Sequence, residues 1–207
     1  MKNLLFSFFL LISYLPCLGQ SNYGVNVKAL NNAYMSLKKN PSSVPLQKAF
    51  LDQFPSTWDA FYATYRFSNH PNFDDTMYRT ANAHIEMLDK LNGIDRPTYY
   101  AKLINILVGG FWDADAPSLL KSIVEKALDK DSEGFFKMIS SNSAARQMLF
   151  WQFMWENPIK SSTLATRYNR LKQTMSARYP KEVKTMSIAY DYFGGEIPVR
   201  LNDNNVY

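Results

Sequence analysis

The stretch Ala144-Ala-Arg-Gln-Met-Leu-Phe-Trp-Gln-Phe-Met-Trp155 decides how this chain is read. From Met148 onward it is apolar nearly all round, interrupted only by Gln152, and it exits at Asn157-Pro158. A helix without a polar face has to be covered on most sides. At this length it falls well short of the roughly 20 apolar residues that cross a bilayer. The segment is therefore expected at the centre of a core.

Working outward, the apolar positions recur at three and four residues, the helical period. Val27, Leu30, Tyr34 and Leu37 form one stripe, stopped by Asn40-Pro41. Ser43 and Pro45 open a short helix with Leu46, Phe50, Leu51 and Phe54. Ser56-Thr-Trp-Asp59 reads as a capping box with Asp in place of Glu, leading into Phe61, Tyr62 and Tyr65. The stripe Met77, Ala81, Ile85, Leu88 runs to Asn92-Gly93, where Gly93 suits a left-handed residue past the helix end. Asp95 with Pro97, and Asp115 with Pro117, repeat one helix-start signal. Asp131 begins a helix with Phe135, Phe136 and Ile139. Beyond the central segment come Leu164, Tyr168, Leu171, Met175 and Tyr179, then Val183, Met186 and Tyr190.

Strand patterns are almost absent, so the expected fold is all-α: an irregular multi-helix bundle of about nine or ten short helices. Helix pairs begin near Asn22, Ser56, Asp95, Asp131 and Ser161. That spacing is close to the period of helical-hairpin repeats, but no residue pattern recurs between the pairs. Stacked hairpins are the alternative arrangement.

The first 19 residues read as an address. Lys2 precedes the apolar run Leu4 to Leu15, Pro16 breaks it, and Cys17-Leu18-Gly19 offers small residues for cleavage before Gln20. Pro16 ahead of Cys17 argues against a lipoprotein signal. The expected organisation is a signal peptide over 1–19, one helical domain over 20–193 and an extended C-terminal tail over 194–207. Cys17 is the single cysteine, so the processed chain would carry no thiol, which suits an oxidising compartment. The expected location is periplasmic or secreted, with the membrane met only through the export signal.

Composition excludes more than it assigns. With 46% hydrophobic and 15% aromatic residues the chain is globular. One cysteine rules out a disulfide scaffold and any cysteine-based metal site. HExxH, GxSxG, P-loop and GxGxxG signatures are missing. The excess of 23 basic over 18 acidic residues is spread out, with a modest group at Arg167, Arg170, Lys172, Arg178, Lys181 and Lys184. It reads as a solvated surface, with no nucleic-acid partner.

The candidate site is Gly109-Gly-Phe-Trp-Asp-Ala-Asp-Ala-Pro117. Trp112, Asp113 and Asp115 put an indole beside two carboxylates next to flexible glycines, chemistry that binds a cation or a sugar. The same residues also have structural uses: Gly109 ends a helix, Asp115 caps the next, and Trp112 packs beneath. Asp129, Asp131 and Glu133 with Gly134 match the opening half of a calcium loop, but Ser140 stands where the bidentate Glu belongs. His70 lies near Asp74 and Asp75 in a polar loop, and His84 reads as a hydrogen-bonded histidine at the edge of its helix's apolar stripe. Of six glutamates, Glu156 stands out because it follows Trp155, although none is followed by the Ser of lytic transglycosylases. No cofactor is implied. Tyr62, Tyr65, Tyr78, Tyr99, Tyr100, Tyr190 and Tyr192 are too many for all to be core, and surface tyrosines suit protein contacts.

Three segments, Phe50-Leu-Asp-Gln-Phe-Pro-Ser-Thr-Trp-Asp-Ala-Phe61, Phe111-Trp-Asp-Ala-Asp115 and Phe150-Trp-Gln-Phe153, resemble a group of small exported all-helical proteins of Gram-negative bacteria. The resemblance implies an exported helical protein and carries no activity or site residues with it. The expectation is thus an exported protein that acts without catalysis by binding another protein, in the manner of an immunity or inhibitor protein. The alternative is a cell-envelope carbohydrate-binding protein or hydrolase working at Trp112, Asp113 and Asp115.

Overall fold

The computed structural model describes residues 24–68, 75–157 and 162–193. The expected signal peptide, the C-terminal tail, His70 and Asp74 lie outside these. The described residues form ten helices and no strand. They are α1 (Val27–Lys39), α2 (Val44–Gln53), α3 (Trp58–Tyr65), α4 (Thr76–Asp89), α5 (Arg96–Leu107), α6 (Ala116–Lys130), α7 (Ser132–Ser140), α8 (Ala144–Trp155), α9 (Ser162–Met175) and α10 (Pro180–Phe193). The all-α multi-helix bundle read from the periodicity is the fold.

Helices two apart in the chain supply much of the packing. The most extensive contacts join α8 to α10, α1 to α2, α4 to α6 and α5 to α7, and α3 with α5 and α7 with α9 also pack two apart. Adjacent helices also pack, α3 with α4, α6 with α7 and α9 with α10, and α5 reaches α8.

Helix α8 lies where the sequence put it. Phe150, Trp151, Phe153, Met154 and Trp155 are completely buried, each contributing about 2–3 kcal/mol of transfer free energy before ordering entropy is charged against it. The Trp151 and Trp155 indoles stack at 5.4 Å, and Trp155 Nε1 donates to the Met186 carbonyl of α10 at 3.2 Å. Tyr168 and Tyr190 stack face to face at 3.8 Å, each standing edge-on to Trp155.

Several local expectations are corrected. Thr57, not Ser56, caps α3, accepting from the Ala60 amide at 3.3 Å. Ser56 is occupied by Lys102, whose Nζ donates to it at 2.7 Å and to the Phe54 carbonyl at 2.5 Å. Gly93 is not left-handed. It is glycine because a Cβ there would lie 2.6 Å from Val44 Cγ2, and because its amide donates to Gln47 Oε1 at 2.7 Å. The buried Gln47 also donates to the Pro41 carbonyl and to Asn92, joining α2 to the turn after α4.

His84 is a core residue rather than an edge one. It is fully buried, its Nδ1 lies 3.1 Å from the Tyr65 hydroxyl, and Tyr34 packs on its ring at 4.5 Å. Nε2 has no hydrogen-bond partner among the described residues. Burial pushes the imidazole pKa down to about 4, so it is neutral at neutral pH. The folded value lies below the ordinary 6.5, so the unfolded chain binds the extra proton. Stability is therefore complete above about pH 6.5 and is lost as the pH falls toward 4, by about 3 kcal/mol. Urea unfolding of the wild type should show this loss between pH 7 and pH 4. His84→Phe should flatten that part of the profile, and equal slopes in the two proteins would refute the assignment.

Candidate functional site

The loop from Val108 to Asp115 joins α5 to α6, and its first half is an anchor. Gly109 turns the chain with φ +81°, a conformation glycine adopts without strain. Gly110 follows because there is no room for a side chain: a Cβ would meet Trp58 Cε3 at 2.7 Å and Phe153 Cδ2 at 2.9 Å. Phe111 then packs between Trp58 at 5.1 Å and Tyr62 at 4.9 Å. The aromatic that fills this space is Phe111, where the sequence suggested Trp112.

Trp112 is half-buried and is held through its backbone. Its amide donates to Glu156 Oε2 at 3.0 Å. Glu156, which follows the last residue of α8, also gives its carbonyl to Lys121 Nζ at 2.6 Å. The lysine sits over the Phe153 ring at 5.9 Å and is almost fully buried. Burial pulls its pKa down to about 8, against the carboxylates of Glu125 and Glu156, which raise it. Burial in turn raises the pKa of Glu125, which Arg167, 2.9 Å away, opposes. A cation on the C-terminal carbonyl of a helix is favourably placed for the helix dipole, so Lys121 and Glu156 brace the loop. Glu156, which stands out in the sequence because it follows Trp155, is the loop's anchor point.

The second half of the loop faces a surface pocket. Asp115 stands at the capping position of α6 without capping it. Its Oδ2 instead accepts from the Tyr78 hydroxyl of α4 at 3.1 Å, which raises the phenol's pKa. Asp113 Oδ1 accepts from the Asp115 amide at 3.4 Å, and Ser118 Oγ secures the Asp113 carbonyl at 2.6 Å. These two carboxylates line a cavity of about 70 Å³ with Phe61, Tyr62, Tyr65, Arg66, Phe67, Ala116 and Pro117. Phe67 is 56% exposed, with its ring 5.3 Å from Tyr78. Of the three residues chosen from sequence, Asp113 and Asp115 are brought together here, and Trp112 is not part of the lining. Tyr62, Arg66, Phe67 and Tyr78 were missed as a group, because α3 and α4 approach this loop only through the fold. A larger hollow of about 200 Å³ between the start of α1 and the end of α2 is walled mainly by capping and turn residues.

The other candidates resolve into structural roles. Asp129 pairs with Arg167 at 3.1 Å and with Arg170. Asp131 caps α7 through the Gly134 amide at 2.9 Å and accepts from the Tyr100 hydroxyl. Glu133 pairs with Arg178. The three carboxylates of the calcium-like stretch thus serve different partners. Gly134 is required by the cap, since a Cβ would lie 2.4 Å from the Asp131 carboxylate. No group of three metal-ligating side chains occurs among the described residues. Arg167, expected on the solvated surface, is only 13% exposed and joins α9 to α6. Tyr65, Tyr99 and Tyr100 are buried, leaving Tyr192 as the most exposed of the tyrosines singled out from sequence. No helix among the described residues is long and apolar enough to cross a membrane.

No protein-family model, curated protein or solved structure matches the chain. Glu156→Ala should leave the Trp112 amide without its acceptor, at a cost of about 1–3 kcal/mol. Urea unfolding and amide exchange should show the destabilisation together with faster exchange over 111–115, and Glu156→Gln should recover most of both. Unchanged exchange in Glu156→Ala would remove the bracing role.

Proposed function

We propose that this protein is exported and acts without catalysis of its own, by binding another protein through the face formed by α3, the start of α4 and the loop before α6. The observation that carries the reading is the contrast between two kinds of polar group. Lys102, Lys121, His84, Tyr65 and Tyr99, whose chemistry burial has altered, are committed to bonds that hold helices together, and Tyr65, the one of these that lines the pocket, has its hydroxyl bonded to His84. The carboxylates of Asp113 and Asp115 instead line a surface pocket beside the exposed ring of Phe67. A catalytic site is expected to aim its perturbed groups into a cleft, whereas a binding face exposes an aromatic anchor with a polar rim. Export rests on Lys2, the apolar run Leu4 to Leu15 and the cleavage signal ending at Gly19.

A photoreactive benzoylphenylalanine at position 67, in the cell that makes the protein, tests both parts. The mature chain should be recovered outside the cytoplasm starting at Gln20. It should cross-link from position 67 to one discrete protein, and not from position 35 on α1. A chain retaining Met1 in the cytoplasm would refute export. Equal cross-linking from both positions, or release of reducing sugar from envelope glycan by the purified protein, would refute the binding function.

A further inference from the structure

The pocket beside Asp113 and Asp115 has a size and a chemistry that define what enters it. Its volume is about 70 Å³. A cavity of this scale admits the side chain of one long residue. Its walls, Phe61, Tyr62, Tyr65 and Phe67, are aromatic and suit an alkyl stem.

The ring contacts fix these walls before anything binds. Tyr62 is wedged between Trp58 and Phe111, and Phe67 rests on Tyr78. Preformed walls limit the ordering cost of binding. The rim is acidic. Tyr78 steadies Asp115 through one oxygen, and the Asp115 amide steadies Asp113. On a chain of formal net charge +5 this rim reverses the sign locally. Among the described residues that line the pocket, Arg66 is the one cation against the two carboxylates, so their charges sum to a net negative.

We infer that the pocket receives a lysine or arginine side chain presented by the partner protein, its stem between Tyr62 and Phe67 and its cationic head on Asp113 and Asp115. This rests on the partner-binding reading above. The two carboxylates supply charge-assisted hydrogen bonds, and the aromatic faces add cation–π attraction. Arg66 lines the same pocket, and its positive charge opposes a second cation there.

The test is an amide-resolved NMR titration of the full mature chain with the capped amino acids Nα-acetyl-lysine amide, Nα-acetyl-arginine amide and Nα-acetyl-norleucine amide, and with N-acetylglucosamine. The two cations should shift residues 62, 66, 67 and 113–117 with millimolar affinity that weakens as salt is raised. Asp113→Asn with Asp115→Asn should weaken binding about tenfold or more. Arg66→Ala should strengthen it several-fold. Unchanged thermal melting of each variant separates loss of binding from loss of fold.

Norleucine binding as tightly as lysine, saturation by N-acetylglucosamine instead, or weaker binding in Arg66→Ala would each overturn the inference. The two proposals fail separately. A position-67 cross-link that survives the double Asn substitution keeps the partner and discards the cationic anchor. Cation binding without any cross-link discards the partner function instead.

Discussion

The structure depends on the second half of α8, Phe150 to Trp155, being almost wholly covered, while its first turn and Leu149 stay exposed. Its rings touch Trp58 of α3, Phe135 and Phe136 of α7, Tyr168 of α9 and Tyr190 of α10, and the ammonium of Lys121 in α6 lies over one of them. Each neighbour is held by burying its own stripe against that common surface. Non-directional apolar burial would permit many such clusters. Ring geometry and the single indole hydrogen bond from Trp155 to α10 choose among them.

Polar groups inside this assembly act as fasteners between elements distant in sequence. Gln47 joins α2 to the turn after α4, Lys102 joins α5 to the end of α2, and Lys121 joins α6 to the end of α8. All three meet backbone groups near helix ends, where carbonyl and amide groups lack intrahelical partners. A buried lysine that saturates a helix's last carbonyl satisfies two unfavourable groups at once. Such bonds specify which helix ends meet, a decision that apolar stripes alone leave open.

The fold was legible because helix periodicity, the start signals at Asp95 and Asp131 and the all-round apolar character of α8 are local properties. Expectations failed where a tertiary partner outcompeted the local one. Ser56 resembles a cap, but Lys102 occupies it; Asp115 resembles a cap, but the Tyr78 hydroxyl takes its carboxylate. Gly93 resembles a left-handed terminus, yet Val44 and Gln47 explain it. The candidate loop was found because its glycines and paired carboxylates are contiguous. Its pocket partners were not, since Arg66 and Phe67 sit 46 to 49 residues earlier in the chain and Tyr78 sits 37 residues before Asp115.

The connection between α5 and α6 divides its labour within a few residues. Gly110 and Phe111 are wedged among Trp58, Tyr62 and Phe153, so a change there disturbs α3 and α8 together. Asp113, Ala114 and Asp115 lie just beyond, with no large side chain pressed into the interior. Mutational tolerance therefore rises steeply over a few peptide bonds. Descendants of this chain can retune what the rim selects, in charge or in shape, while inheriting an unaltered foundation.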